Sequence, residues 1–200
     1  MDTQNIYILL TDTGTMFTRT IKLFTKEPYN HASISFDSDL DEVYSFGRKT
    51  ARNPFIGGFV KEDIRGSIFK HANGAIYRCN VTKEQLVVMK DFIKHIEKQK
   101  ECYRYNLLGL FAILIDKQIT RNNAFFCSQF VATILQTSEV IHFNKPLSHV
   151  TPRDVIAGHE FERIYEGPLS QYIERTNAAN TVKIRYMNRD TQLLSRTSCR

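Results

Sequence analysis

The stretch Phe125-Phe126-Cys127-Ser128-Gln129-Phe130-Val131-Ala132-Thr133-Ile134-Leu135 decides how the rest of the chain is read. Phe126, Phe130 and Ile134, with Val131 and Leu135, recur at helical spacing, and Asn122 and Asn123 stand ahead of them as candidate caps. The pattern predicts a buried helix with Cys127 in its first turn. Unpaired backbone N–H groups and the positive end of the helix dipole stabilise a thiolate there, bringing its pKa below the free value of about 8.5. Free cysteine also packs commonly as a small buried hydrophobe. A catalytic reading therefore requires a histidine, a group to orient it, and donors for a developing oxyanion.

The composition suits one globular domain: 200 residues, 42% hydrophobic and 24% charged. Ile6 to Leu10 is too short, and too close to Asp2 and Gln4, for an export signal. The longest apolar run, Leu107 to Ile115, falls well short of the ~20 residues that span a bilayer. The expectation is a cytoplasmic protein without a transmembrane segment. Cys79, Cys102, Cys127 and Cys199 are too widely spaced for a CxxC motif, so neither a metal nor another cofactor is expected, and a cytosolic chain keeps such thiols reduced.

The net charge of +6 is unevenly placed. From Thr181 onward five basic residues (Lys183, Arg185, Arg189, Arg196, Arg200) face one acid, Asp190, which leaves only +2 for residues 1–180. That distribution argues against specific nucleic-acid binding by the body of the protein. Residues 178–200 read as a flexible basic tail, either a solvated extension or a contact for an anionic surface, and residues 1–177 as the domain.

Along the chain, Ile6 to Leu10 is a buried first strand ended by Thr11-Asp12-Thr13-Gly14. Phe17, Ile21 and Phe24 suit a short amphipathic helix. His31 to Phe36 and Leu40 to Gly47 alternate around Asp37-Ser38-Asp39 and predict a hairpin with Phe36 opposite Leu40. In that register Ala32, Ile34 and Phe36 share a face with Leu40, Tyr44 and Phe46, while His31, Ser33 and Ser35 share the other with Val43 and Ser45. A one-residue slip places Tyr44 beside His31 instead. Arg48 to Asn53 is a polar link, and Gly57-Gly58 marks a flexible loop or a turn.

Further on, Ala75 to Val81 is a strand, and Thr82-Lys83-Glu84-Gln85 is a capping box opening a helix that buries Leu86, Met89, Ile93 and Ile96. Tyr103 to Ile115 reads as a deeply buried helix. Thr151-Pro152-Arg153-Asp154 opens a short helix to about Gly158, and Phe161 to Tyr165 is a last strand. Of the six histidines, His95 falls on a charged helix, His71 in a polar loop, and His142, His149 and His159 near the segments after the cysteine helix. His31 opens a strand with no core-packing reason to be there, as a structural histidine or as the partner of Cys127.

The succession of a first strand, Thr13-Gly14, Phe24-Thr25, Tyr29-Asn30-His31-Ala32-Ser33-Ile34, Tyr44-Ser45-Phe46-Gly47-Arg48 and Phe126-Cys127-Ser128-Gln129-Phe130-Val131 resembles the permuted NlpC/P60 hydrolases, the YiiX/YycO-like branch of the papain-like fold. The resemblance covers residues 4–167. It implies an α+β fold in which an antiparallel sheet packs against the nucleophile-bearing helix, circularly permuted so that the histidine strand comes first. It further implies Cys127 as nucleophile and His31 as general base. A third polar residue is implied on the strand after the histidine, where the register offers Ser45, with Tyr44 or Glu42 as alternatives.

Candidates for oxyanion stabilisation or substrate contact are the Cys127 N–H, Tyr105, Tyr44 and Ser128, with Tyr105 equally readable as a core tyrosine. The activity so implied is a cysteine peptidase or amidase cutting a peptide or γ-glutamyl-type bond through an acyl-enzyme. Two other readings stand beside it. One is a thiol acyltransferase or lipid hydrolase resembling lecithin:retinol acyltransferase, acting on an acyl lipid with Leu107 to Ile115 as pocket or core. The other is a non-catalytic binding module on the same scaffold.

Overall fold

A computed structural model describes residues 3–14, 27–48, 57–105 and 124–181. The chain is a mixed α+β protein built on a six-stranded antiparallel sheet. Its strands are β1 (Thr3–Asp12), β2 (His31–Ser35), β3 (Val43–Arg48), β4 (Gly57–Glu62), β5 (Asn73–Thr82) and β8 (Phe161–Pro168), in the order β4-β3-β2-β1-β5-β8. A short parallel pair, β6 (Arg104–Tyr105) and β7 (Ala124–Phe125), leads into the cysteine helix. Tyr105 is thus in a strand rather than at the start of a helix, and the rest of the helix expected over Tyr103 to Ile115, with the short helix after Thr15, lies outside the described residues.

Both faces of the sheet are covered, which fixes the alternation along each strand. On one face Ile6, Ile8, Ala32, Ile34, Phe46 and Phe59 pack against helix α1 (Lys83–Lys98) and helix α2 (Cys127–Thr137). On the other, Tyr7, Leu9, Val43 and Ile76 pack beneath Ile64 and Phe69 of the β4–β5 connection and beneath Leu169 and Tyr172 of α4, which covers residues 169–181. Residues 178–181 therefore continue a helix, so the boundary expected at 178 falls inside it. There the Asn180 amide donates to Asp39 at 2.9 Å.

Local signals act as their chemistry requires. In α1 the Thr82 side chain accepts from the Gln85 N–H while the Gln85 side chain accepts from the Thr82 N–H, and Met89, Ile93 and Ile96 are buried with Leu86 packed at the edge of the cluster. Thr151 and Asp154 form the same reciprocal cap, with proline at the first position, but helix α3 ends at Val155, earlier than Gly158. Gly57-Gly58 is neither loop nor turn: it begins β4, pairing with Arg48 and Gly47.

The β2–β3 hairpin departs from its expected register by two residues, Ile34 pairing with Tyr44 and Ser35 with Val43. Because the slip is even, His31, Ser33, Ser35, Val43 and Ser45 keep a common face. The physical reason is Asp37. Its carboxylate accepts from the backbone N–H groups of Asp41 (3.0 Å) and Glu42 (2.7 Å), closing a wider loop than the three residues expected. Leu40, in the left-handed region with φ 60°, turns into the opposite core from Phe46.

Candidate active site

Cys127 is the first residue of α2. Phe126 occupies the cap position in extended conformation and supplies no side-chain hydrogen bond, so neither Asn122 nor Asn123 is the cap. What holds the helix start is packing. Phe126 and Phe130 are fully buried, and Phe130 meets Phe46 (5.1 Å between ring centroids) and Phe59 (5.9 Å) from the sheet. Ser128 anchors the same turn by donating to the Val150 carbonyl at 2.6 Å.

His31 opens β2 directly opposite Thr11 of β1. The approach to it is pinned twice: the Asn30 N–H donates to the Thr11 carbonyl at 3.2 Å, and the Tyr29 hydroxyl donates to Glu166 of β8 at 2.8 Å. The Asn30 carbonyl is 4.0 Å from Cys127 Sγ. The strand start and the helix start thus meet, bringing His31 and Cys127 together.

The residue that completes the group is Glu62, the last residue of β4. Its Oε1 lies 2.7 Å from His31 Nε2, with the two side chains 16% and 6% exposed for histidine and glutamate. Ser33 donates to Glu62 Oε2 and Ser45 to Glu62 Oε1, each at 2.6 Å. A carboxylate on Nε2 fixes that nitrogen as the donor and leaves Nδ1 for the thiolate.

Each charge supports the next. Burial alone would push the His31 pKa down, but the Glu62 carboxylate and the Cys127 thiolate outweigh it and raise it to about 10. Burial likewise opposes ionisation of Cys127, yet the His31 imidazolium and the backbone N–H groups of Ala32 and Ser128 hold the thiol below its ordinary range. Glu62, also disfavoured as an anion by burial, is held below the usual carboxylate range by His31, Ser33 and Ser45. The three shifts all favour the same charged state, a thiolate, an imidazolium and a carboxylate in series.

Of the residues singled out from sequence, Cys127 and His31 are brought together, while the third position needs correction. Ser45 is on the expected face but bonds Glu62 rather than His31. Tyr44 is on the opposite face, stacked on Phe59 at 6.0 Å with Lys61 over its ring. Glu42 is half-exposed at the surface, 3.7 Å from Lys90. Ser128 is committed through its hydroxyl to Val150, and the backbone of Tyr105 pairs with Phe125.

Of the remaining histidines, His71, His95, His142 and His159 are exposed, and His149 is half-buried with Nδ1 3.3 Å from Ser148 Oγ. Among the described residues no group of His, Cys, Asp or Glu is arranged to hold a metal ion, and no helix is long and apolar enough to cross a membrane.

Glu62 carried a weak signal in sequence. Phe59-Val60 is a short β-prone run, and reading the two glycines before it as a loop hid both the strand and the acid that ends it. Compared with known proteins, the chain matches no family model, no curated sequence and no solved structure.

Proposed function

We propose that the protein is a cysteine hydrolase of the permuted NlpC/P60, papain-like type, cleaving an amide bond of the peptide or γ-glutamyl class through an acyl-enzyme. The observation that carries this reading is the continuous chain from Glu62 through His31 to a Cys127 seated at a helix N-terminus. A structural thiol needs no buried histidine, and a structural histidine needs no buried carboxylate on its far nitrogen.

In this mechanism the Cys127 thiolate attacks the carbonyl carbon, and the Cys127 N–H at the start of α2 donates to the oxyanion. His31 gives its Nδ1 proton to the leaving amine as the C–N bond breaks, forming a thioester on Sγ. It then takes a proton from water, whose hydroxide attacks the thioester and releases the acid and the thiolate. Glu62 holds the ring through Nε2 and stabilises the imidazolium without itself taking the proton.

Incubating the protein with peptidyl and γ-glutamyl coumarin amides, quenching in acid and measuring intact mass tests the reading. It expects coumarin release and an acyl increment on Cys127, both absent in Cys127→Ala and His31→Ala. Substrate turnover that survives Cys127→Ala, or a Cys127 that iodoacetamide labels only on unfolding, overturns it.

A further inference from the structure

Ser33, Ser35 and Ser45 are fully buried in a sheet whose other inward positions on that face include Leu9, Val43 and Ile76. A buried hydroxyl is costly unless bonded, and alanine would fill such a position without that cost. Ser35 has a local reason, donating to the Asp37 carbonyl at 3.0 Å within the hairpin turn. Ser33 and Ser45 have none: each donates at 2.6 Å to Glu62, one to each carboxylate oxygen. With His31 Nε2 on Oε1, these contacts bracket the carboxylate from two neighbouring strands and leave it one way to point.

We propose that Ser33 and Ser45 are positioning residues that keep Glu62 charged and aimed at His31, so that the thiolate–imidazolium pair persists into acidic pH. This rests on the catalytic reading above and deepens it. A carboxylate so buried takes up a proton readily unless donors replace lost water, and a protonated Glu62 no longer supports the imidazolium. The two hydroxyls are those donors, since β3 and β2 bury them away from solvent.

Among the described residues the groups facing this cluster are few. His31 and Ser33 approach from β2 and Ser45 from β3, while Cys127 of α2 acts through His31. Asp41, Lys61, Asp63 and Arg65 border a shallow hollow beside Glu62, where Asp41 and Arg65 pair with each other at 2.6 Å and Lys61 lies over Tyr44.

The test is the pH dependence of iodoacetamide labelling at Cys127 in the folded, full-length protein, comparing wild type, Ser33→Ala/Ser45→Ala, each single variant and Ser35→Ala. Wild type is expected to label at close to its plateau rate at pH 6. The double variant should move the acid limb upward by about one pH unit, a loss of roughly tenfold at fixed acidic pH, with smaller shifts in the singles, which also serve if the double variant does not fold. Ser35→Ala, equally buried on the same face, should lower the melting temperature and leave the limb in place. Serine variants with the wild-type limb, or Ser35→Ala shifting it equally, overturn the proposal while leaving the Cys–His pair intact. Wild-type labelling that ignores His31→Ala overturns both.

Discussion

Glu62 Oε1 stands 2.7 Å from His31 Nε2 although the two residues lie on β4 and β2, with β3 between them. The crossing is possible because the row next to His31 carries no side chains: Gly47 of β3 pairs with Gly58 of β4, and a Cβ on Gly47 would come 3.4 Å from His31 Cε1 and 3.3 Å from Ser45 Oγ. The imidazole lies over bare backbone, and the carboxylate reaches it from the sheet edge.

Replacing Glu62 by Gln keeps a hydrogen-bond acceptor of the same length and removes the charge. The imidazolium loses its buried counter-ion, so the His31 pKa falls and the Cys127 pKa rises. Turnover of a responsive amide should drop by about a hundredfold or more with KM little changed, as read from initial rates across pH.

Gly47→Ala tests the bare row. Its new Cβ would lie 3.3 Å from Ser45 Oγ, which must give by a few tenths of an ångström, and 3.4 Å from His31 Cε1, so the hydroxyl that holds Glu62 is displaced while the ring loses its free space. A loss of about tenfold in kcat, with far-ultraviolet circular dichroism unchanged, is the expected outcome.

The coupled charges also set the pH dependence of stability. His31 has its pKa raised to about 10 from an ordinary 6.5, so its stabilising contribution is complete below 6.5 and is lost as pH rises toward 10. Cys127 has its pKa lowered from 9.0, so its contribution is complete above 9.0 and is lost as pH falls through the folded value. From 9.0 down to the folded Cys127 value, folding takes up a proton at His31 and releases one at Cys127, so the two slopes oppose each other there. Urea unfolding should therefore give a shallower fall in free energy just below pH 9.0 in wild type than in Cys127→Ala. In Cys127→Ala the thiol's opposing slope is gone, and whatever rise in the His31 pKa Glu62 alone sustains against burial shows as a falling limb of at most about 1.4 kcal/mol per pH unit.

Phe46 couples the sheet to helix α2, which carries Cys127. It is fully buried, with ring centroids 5.1 Å from both Phe125 and Phe130. Phe46→Ala should cost about 3–5 kcal/mol in urea unfolding and slow Cys127 labelling in the fraction that remains folded. Thr82→Ala, which removes one half of the α1 capping box far from the site, should cost about 1 kcal/mol and leave the labelling rate alone.

What could be read from the chain beforehand follows a physical division. Helix signals are local, so the Thr82–Gln85 box, the Thr151–Asp154 box and the burial of Phe130, Val131, Ile134 and Leu135 were legible from spacing alone. Strand faces were legible wherever alternation was regular, which is why His31 and Ser45 fall on the same side despite the shifted hairpin. The turn was not, because Asp37 caps backbone groups up to five residues away and widens the loop. Glu62 was hidden for a different reason. Its link to His31 spans 31 positions and a third strand, and no local pattern records which acid will reach across a sheet. Helix α4 was missed with it, since residues 169–181 hold few apolar positions beyond Leu169, Tyr172 and Ile173.

The His31–Glu62 half of the candidate site is contained in β2, β3 and β4, neighbouring strands completed by Glu62, whereas Cys127 arrives 65 residues later on a helix that must dock against them. During synthesis on the ribosome, the histidine and its carboxylate can assemble while Cys127 is still unmade. When Cys127 emerges it is an ordinary thiol with an ordinary pKa, inert toward most carbonyl carbon. On the proposed function, its reactivity would be switched on only when Phe126 and Phe130 lock into the sheet, so the chemistry would wait for the finished tertiary structure and the nascent chain would be spared attack by its own half-built site.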